Sequence, residues 1–405
     1  MPALAQLARF GGRPRFDRVR PIGQLSVPDR ERFRANMREL YAGGASAGSL
    51  GLVQRLEREL AALHGVEACV AYSNACVALI ALTELVAVVP GGEVILPAFT
   101  YMGLPHLVQW TGHRPRFCDV HPTEHTLDVD AVRACIRPNT AAILGVHQVN
   151  ATCRVEALDA LSRETGVPVI YDAVHGFYNT HRGAHVGSFG RAEVFSLHAT
   201  KMLNGFEGGY VTTNDLALAE DLRALRNHGL GADGRPQRFG LHGGLSEVHA
   251  GFALAGIPEI AAACARNLRR YERYRAGLAG LPGLSVVPYP EDGERRNYEF
   301  TLVWVDAEYG LERDQVVEVL LAEGTRARAY YGPPVHLTDH RPDDMPAPSL
   351  PVTEHLARHI IQMPVGEHVS LEDIDEICAV LRTLHEVRDA ARAGFAARSD
   401  AEVSR

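Results

Sequence analysis

The chain has 405 residues, which is too long for one ordinary hydrophobic core, so we expect two domains packed together. Its 46% apolar and 22% charged residues are typical of a soluble globular protein, and its formal charge of −8 comes without a basic stripe, so we expect no nucleic-acid partner. The seven cysteines are scattered without C-x-x-C pairs or metal-ligand spacing, and the N-terminus has no signal-peptide core. These features predict a cytoplasmic protein with reduced thiols, no metal site and no membrane segment.

The first 50 residues are rich in glycine and proline, and we interpret 1–50 as an N-terminal arm that carries one helix over 29–41. After the arm, helical stretches alternate with short β-rich runs. The predicted helices are 52–63, 74–88, 129–135, 155–164 and 216–227, and the predicted strands are 69–72, 93–96, 115–120, 141–147, 168–172, 193–197 and 209–212. Several runs, such as AAILGV and VPVIY, are apolar throughout, which fits strands buried on both faces of a sheet. We therefore predict an α/β fold with a large domain over 51–256, built on a mostly parallel seven-stranded sheet.

The last third of the chain changes character and predicts a smaller C-terminal α+β domain over 257–390. A long helix over 257–279 is expected to lead out of the large domain. The elements predicted after it are a strand at 300–305, a helix at 313–322, a strand at 326–331, a proline-rich loop at 332–351, a helix at 353–361 and a last helix opened by a capping box of Ser370 and Asp373. We interpret the residues after 390, which are 391–405, as a frayed tail.

Lys201 is the one lysine of the chain, since the other 40 of the 41 basic residues are arginine. Arginine keeps its proton in proteins and cannot act as an amine nucleophile. The chain is strongly biased toward arginine, so a single remaining lysine indicates a task that requires a primary amine, such as Schiff-base formation. The alternative is that this lysine remained by chance. Its place just past the strand predicted at 193–197 favours the chemical reading, because ligands of open α/β sheets bind beyond the carboxyl ends of the strands.

Asp172 ends another buried run, VPVIYD, so it should face the same crevice; the alternative is that it caps the next element or pairs with a core arginine. A lysine and an aspartate at strand ends are what pyridoxal phosphate requires, because the amine holds the cofactor and the carboxylate keeps its ring nitrogen protonated. The phosphate needs a helix N-terminus, which Asn74 can cap, and Ser196 is a second candidate ligand. Tyr101, past a third strand end, is placed to cover the ring. Singly, such residues are ordinary turn residues, and the prediction depends on their combination.

Six sequence blocks carry a more specific signal: SNACVAL at 73–79, EVILPAFTY at 93–101, FCDVHP at 117–122, YDAVH at 171–175, FSLHATK at 195–201 and FEGGYVTTND at 206–215. In these blocks the chain resembles the DegT/StrS family of pyridoxal-phosphate sugar aminotransferases, which have the fold-type I architecture. The resemblance runs over nearly the whole chain. It is strongest to the subgroup that makes 4-amino-4,6-dideoxyhexoses from nucleotide-linked 4-keto-6-deoxyhexoses.

The resemblance implies that Lys201 is the Schiff-base lysine and Asp172 the pyridinium partner. It implies a further set of cofactor-binding residues: Asn74, Ala75, Cys76, Tyr101, His175, Ser196 and His242. His175 corresponds to the residue that hydrogen-bonds the ring hydroxyl, unless it is simply a packed histidine. Cys76 replaces the family's threonine, so a strong hydroxyl donor to the phosphate becomes a weak thiol.

Three loops depart from the family pattern, at 45–51, 149–153 and 240–247. In the last of them, which in the family reaches across a dimer, the usual asparagine is His242 and the usual basic residue is Gly244. Such loops help to hold the nucleotide-sugar in the family. The cofactor machinery is therefore expected to be kept and the acceptor to be unusual.

The implied activity is transfer of an amino group from an amino acid, glutamate by resemblance, to a keto group of a sugar or sugar-like intermediate. A (d)TDP-4-keto-6-deoxyhexose is the implied acceptor, in deoxyaminosugar and antibiotic biosynthesis. The resemblance also implies a homodimer, because fold-type I sites lie at a subunit interface. Two alternatives stay open: lyase chemistry on a natural-product intermediate with the same cofactor, and a non-catalytic binding protein on the same scaffold.

Overall fold

The computed structural model describes residues 3–42, 51–342 and 344–403. In the part of the chain before residue 257, its helices are α1 (Arg30–Ala42), α2 (Gly51–His64), α3 (Ala75–Val86), α4 (Leu104–Trp110), α5 (Val129–Cys135), α6 (Val155–Thr165), α7 (Leu216–Arg226) and α8 (Glu247–Gly256). Its strands there are β1 (Ala68–Tyr72), β2 (Glu93–Pro97), β3 (Arg114–Cys118), β4 (Thr140–Val146), β5 (Val169–Asp172), β6 (Thr180–His181), β7 (Ala184–His185), β8 (Glu193–Ser196) and β9 (Gly209–Thr213). The predicted helices and strands of this part are confirmed to within a few residues, whereas α4, α8 and the small β6–β7 hairpin were not predicted.

The central sheet has seven strands in the order β1-β9-β8-β5-β4-β2-β3. Strand β9 runs antiparallel to β1 and β8, and the other pairs are parallel. Alternate residues of β1 enter different cores: Val70 and Tyr72 pack on the α3 side, while Cys69 and Ala71 pack on the α2 side. Because both faces are covered, the central strands β4 and β5 are buried along their whole length. The predicted mostly parallel seven-stranded sheet is confirmed.

The sheet brings three chain segments to one edge. Strands β5 and β8 pair in parallel with Asp172 opposite Val194, so their carboxyl ends lie side by side. Strand β1 also ends at this edge, since β9 separates it from β8 and runs opposite to both, and α3 begins three residues after β1. The loop after β8, the turn after β5 and the N-terminus of α3 therefore meet at one place.

The C-terminal part contains α9 (Ile260–Leu278), α10 (Arg313–Ala322), α11 (Pro351–His359), α12 (Leu371–Glu386) and α13 (Arg388–Val403), with the strands β10 (Leu284–Val286), β11 (Leu302–Val305), β12 (Arg328–Ala329) and β13 (Ile360–Gln362). The four strands form an antiparallel sheet in the order β10-β11-β13-β12. The predicted capping box of Ser370 and Asp373 is present at the start of α12. The smaller α+β unit predicted for this part is therefore present as a separate sheet, and its core also includes residues of the arm and of the large domain, such as Leu7 and Phe99.

Three predictions for the C-terminal part were wrong in detail. The helix predicted to run to residue 361 ends at His359, because Ile360 and Ile361, which are β-branched and buried, continue as a central strand. The strand predicted at 326–331 pairs only over Arg328–Ala329. The expected frayed tail is helical as far as α13 extends, and its Phe395 ring lies 5.4 Å from that of Phe10. Residues 404–405 lie outside the described residues.

Helices α8 and α9 form one nearly continuous helical stretch, Glu247–Leu278. By length and composition alone, this stretch is long and apolar enough to cross a membrane. Half of its most apolar window is buried inside the protein. It packs against α1, α2 and α12 and is interrupted by a 3-10 turn at Ile257–Glu259. Packing of this kind is typical of a core helix.

Candidate active site

Lys201 lies in the loop that joins β8 to β9, and backbone hydrogen bonds close this loop. The N–H of Gly205 donates to the carbonyl of Leu197 at 2.7 Å, and the N–H of Ala199 donates to the carbonyl of Phe206 at 3.0 Å. These two bonds turn the chain back into β9. A closed loop gives the lysine a fixed backbone at the edge of the sheet.

The N-terminal arm holds this loop from the other side, which the sequence did not predict. Gln24 donates its N–H to the carbonyl of Thr200 at 2.9 Å, and its side-chain amide donates to the carbonyl of Glu299 at 2.7 Å. A Cβ at Gly23 would lie 2.6 Å from the Cβ of Thr200, so the close approach requires a glycine there. The arm thus ties the lysine loop to the C-terminal part of the chain.

Asp172 is the last residue of β5, and its side chain is buried. Its Oδ1 accepts the N–H of Val174 at 3.1 Å, and no donor is recorded for Oδ2 among the described residues. Burial raises the pKa of Asp172, while the Val174 N–H, His175 and Lys201 oppose that shift. The carboxylate of Asp172 therefore interacts electrostatically with both Lys201 and His175, as the sequence predicted.

His175 is held by two residues that the sequence did not single out. Its Nδ1 lies 3.2 Å from Oε2 of Glu299, and its Nε2 lies 3.1 Å from the hydroxyl of Tyr331. Burial lowers the pKa of His175, Lys201 lowers it further, and Glu299 opposes both. Since both ring nitrogens already have partners, its expected contact with the cofactor's ring hydroxyl stays a prediction.

The N-terminus of α3 offers free backbone donors. Asn74 caps the helix, because its Oδ1 accepts the N–H of Val77 at 2.9 Å. No acceptor is recorded among the described residues for the N–H groups of Ala75 and Cys76. A Cβ at Gly209 would lie 2.3 Å from the nitrogen of Ala75, so β9 and this helix end meet with no side chain between them. Two unpaired N–H groups at the start of a helix form an anion site.

Cys76 and Ser196 lie near this helix end and the end of β8. Burial raises the pKa of the Cys76 thiol, and Asp172 and Glu207 raise it further, so the thiol stays neutral and lies within the field of Asp172. The hydroxyl of Ser196 accepts the N–H of His198 at 3.2 Å. Cys76 is therefore electrostatically part of the Asp172 site, whereas the recorded contact of Ser196 lies within its own turn.

Among the described residues, no hydrogen bond joins Tyr101 or His242 to Asp172. Tyr101 is 54% exposed, and its ring lies over the backbone of Gly103. His242 stacks on His228 with ring centres 5.1 Å apart, beside a surface groove. Their expected roles at the cofactor stay predictions.

The loops expected to differ from the family pattern are described only in part. Most of 45–51 lies outside the described residues. In 149–153, the N–H of Cys153 donates to Nδ1 of His147 at 3.0 Å, and Nε2 of that ring lies 3.0 Å from a buried oxygen of Glu193. In 240–247, the carbonyl of Gly243 accepts the N–H of Ser73 at 2.8 Å, just before α3.

Sequence reasoning missed Glu299, Phe300 and Tyr331, which the C-terminal part brings to the site. The Phe300 ring centre lies 5.7 Å from Nζ of Lys201 and 5.4 Å from the ring centre of His175. A charged residue at the start of an apolar strand, in the run NYEFTLVWV, is the one sequence signal that could have identified this segment.

The residues present fit pyridoxal phosphate. A primary amine, a buried carboxylate with a free oxygen and a pair of unpaired helix N–H groups lie at one sheet edge. These are the groups that would hold the cofactor's aldehyde, ring nitrogen and phosphate.

The known proteins that this chain resembles are aminotransferases. The model of the DegT/DnrJ/EryC1/StrS aminotransferase family matches residues 29–382. A crystal structure of DesI in the presence of its TDP-sugar product is 34% identical with a TM-score of 0.88, covering 98% of this chain and 100% of that chain. DesV of S. venezuelae, solved in complex with a ketimine intermediate, is 30% identical with a TM-score of 0.77, covering 88% of this chain and 96% of that chain. The dTDP-4-amino-4,6-dideoxy-D-glucose transaminase of Escherichia coli is 26% identical over 376 residues, which are 90% of this chain and 98% of that protein.

These similarities confirm the predicted family and the fold of a pyridoxal-phosphate aminotransferase. The family model spans most of the chain, including α3, both strand ends of the site and the small sheet. The chain belongs to the DegT/DnrJ/EryC1/StrS aminotransferase family and is a pyridoxal-phosphate-dependent aminotransferase.

Proposed function

We propose that the protein transfers an amino group from glutamate to the keto group of a nucleotide-linked deoxysugar, a (d)TDP-4-keto-6-deoxyhexose. The observation that carries the proposal is the convergence of Lys201, Asp172 and the free N–H groups of α3 at one sheet edge. The likeness to DesI, solved with its TDP-sugar product, and to the E. coli dTDP-sugar transaminase supports the acceptor class.

Each residue of the site has a physical task in this proposal. When bound, pyridoxal phosphate supplies an electron sink for the carbon that loses or gains the amino group. Lys201 holds the cofactor through Nζ and, once displaced, moves the proton at the α-carbon of the amino donor. Asp172 places a negative charge opposite the ring nitrogen, and the N–H groups of Ala75 and Cys76 bind the phosphate.

The acceptor side of the site differs from the family pattern, and we propose an unusual acceptor within the same class. His242 and Gly244 replace a polar amide and a basic side chain in 240–247. Loss of the basic residue removes one charge-assisted contact with a phosphate or a carboxylate. In the family this loop reaches across a dimer, so we propose a homodimer, in the cytoplasm.

The test is to prepare the amino form of the cofactor on the protein and to add candidate keto compounds, both nucleotide-linked and free. Return of the absorbance of the lysine-bound cofactor, together with an aminated product, is expected for a nucleotide-linked 4-keto-6-deoxyhexose. Return only with free keto compounds would contradict the proposed acceptor. Release of ammonia without an aminated product would instead favour lyase chemistry.

A further inference from the structure

Glu299 brings a second carboxylate to the site, from the C-terminal part of the chain. Its side chain is 1% exposed, and its Oε1 has no hydrogen-bond partner among the described residues. Its Oε2 lies 3.2 Å from Nδ1 of His175. An ionised carboxylate only accepts hydrogen bonds, so His175 must donate from Nδ1. Burial of a carboxylate is costly in free energy, and where the carboxylate has one polar partner, that partner supplies most of the compensation.

The backbone around Glu299 fixes this geometry. Its N–H donates to the side chain of Asn297 at 2.8 Å, and the amide of Asn297 donates to the carbonyls of His175 at 3.0 Å and Phe177 at 2.8 Å. Tyr298 has a φ of 50°, an uncommon conformation for a bulky residue. A strained residue held between such contacts indicates that the position of the carboxylate is determined by its surroundings.

The proton on Nδ1 of His175 determines whether Nε2 donates or accepts a hydrogen bond. When His175 is neutral and carries its proton on Nδ1, Nε2 can only accept, so it takes the hydroxyl proton of Tyr331, 3.1 Å away. When His175 is charged, Nε2 donates to the same oxygen. Glu299 therefore decides the direction of a hydrogen bond on the far side of the ring.

Charge couples this histidine to the cofactor site. The titratable groups around His175 are Asp172, Lys201, Glu299 and Tyr331, and those around Asp172 are Cys76, His147, His175, Lys201 and Tyr331. Burial lowers the pKa of His175 and Lys201 lowers it further, while Glu299 raises it. Burial raises the pKa of Asp172, and a positive His175 lowers it. Glu299 thus favours a charged His175, which in turn favours an ionised Asp172.

We propose that Glu299 is a positioning residue that holds the proton of His175 on Nδ1 and so sets the direction of the hydrogen bond between Nε2 and the hydroxyl of Tyr331. A consequence is that the charge on Asp172 depends on Glu299 by way of His175. The inference rests on the proposed function, because Asp172 acts there as the partner of the cofactor's ring nitrogen. Glu299 itself makes no contact with the cofactor in this scheme.

The first measurement is the retention of pyridoxal phosphate by the loaded protein after equilibration and gel filtration at a series of pH values. Glu299→Gln removes the charge, so His175 loses its proton more easily and Asp172 becomes protonated at a higher pH. The midpoint of cofactor release on acidification is therefore expected to move up by about half a pH unit or more. Glu299→Asp keeps the charge but shortens the side chain, so its midpoint should lie between those of Glu299→Gln and the unaltered protein.

The matched control is Glu354→Gln, which removes the carboxylate 3.5 Å from His336, in a pair whose neighbouring charged groups are Asp119, Arg341 and Arg358. Its release midpoint is expected to equal that of the unaltered protein. An equal upward shift in Glu354→Gln and Glu299→Gln would overturn the proposal, because the effect would then be general.

The second measurement is the ring-¹⁵N spectrum of the histidines in the loaded protein, with His175 assigned from a His175→Gln variant. The unaltered protein is expected to show the proton of His175 on Nδ1, and a neutral ring protonated on Nε2 would overturn the proposal without any Glu299 variant. An unchanged release midpoint in a folded Glu299→Gln would also overturn it. If the unaltered protein retains no cofactor at any pH, the proposed function itself fails.

Discussion

The Nζ amine of Lys201 makes no hydrogen bond or ion pair with any described residue, and it lies over the Phe300 ring, 5.7 Å from its centre. An amine held against an aromatic face, with no carboxylate attached to it, is available for covalent chemistry. At the residue scale, the two basic side chains of the site therefore have different tasks. His175 is committed to protein partners on both nitrogens, and Lys201 is left free.

Lys201→Arg is expected to lower transamination by at least about a hundredfold, because arginine keeps the charge but can neither hold the cofactor covalently nor move the proton. The measurement combines the rate with the visible spectrum of the loaded protein. Mass analysis of a borohydride-reduced sample should find the cofactor on the peptide that contains residue 201 in the unaltered protein. Full activity and an unchanged spectrum in Lys201→Arg would contradict the assignment.

Cys76→Thr is expected to tighten cofactor binding, because a hydroxyl donates a stronger hydrogen bond to phosphate than a thiol does. A gain of about 0.5–1.5 kcal/mol is the usual net contribution of one hydrogen bond, so the dissociation constant should fall by about two- to tenfold. Equilibrium titration of cofactor-free protein measures it. Cys76→Ala serves as the control and should bind as the unaltered protein does; weaker binding by Cys76→Thr would contradict the expected role.

At the scale of elements, the site depends on how closely β9 and α3 approach each other. β9 begins at Gly209, beside the first residue of α3, and β8 pairs with β9 directly before the lysine loop. The helix end, its cap and the closed loop are thus one packed unit. A change at their junction should affect stability and phosphate binding together.

Gly209→Ala tests this junction. The added Cβ would lie 2.3 Å from the backbone nitrogen of Ala75, and neither backbone can move freely inside the sheet. We expect a loss of about 1–3 kcal/mol in the free energy of unfolding, with weaker cofactor binding, measured by denaturant titration and by equilibrium titration.

The matched control is Gly51→Ala, at the first residue of α2, where an added Cβ meets no atom of a described residue within 4 Å. Its stability should be unchanged or slightly higher, since alanine favours the helix over glycine. An unaltered stability of Gly209→Ala would show that the two elements adjust and would contradict the packed-unit interpretation.

At the scale of the whole molecule, the C-terminal part completes the site that the large sheet begins. Glu299, Phe300 and Tyr331 come from segments next to the small sheet, and Gln24 comes from the arm. His242 stacks on His228, in the loop 240–247 that in the family reaches across a dimer.

We therefore expect a dimer in solution, with light scattering giving twice the mass of the chain. If 240–247 acts across the interface, mixing two inactive variants, one with Lys201→Ala and one with that loop replaced, should restore activity on refolding, because some mixed dimers regain one complete site. Mixing either variant with itself is the control. A monomer with full activity would contradict the proposed assembly.

The sequence by itself determined the large sheet and the chemistry at its edge. Apolar runs such as VPVIYD are typical of strands covered on both faces, and a lone lysine in an arginine-rich chain indicates an amine with a chemical task. Asp172 and Lys201 could be assigned to one edge because parallel strands share the direction of their carboxyl ends. Both inferences depend on the local residue pattern and on the direction of the strands, and both can be read from the sequence.

Tertiary structure alone decided which distant segments meet that edge. Nothing in the sequence around Glu299 or Gln24 states that each lies beside the lysine loop, because such contacts depend on how the small sheet and the arm dock. The same holds for Ile360 and Ile361, whose helical context predicted a helix but whose burial between two strands makes them part of a sheet. Long-range packing overrides local pattern wherever it supplies the larger burial and the hydrogen-bond partners.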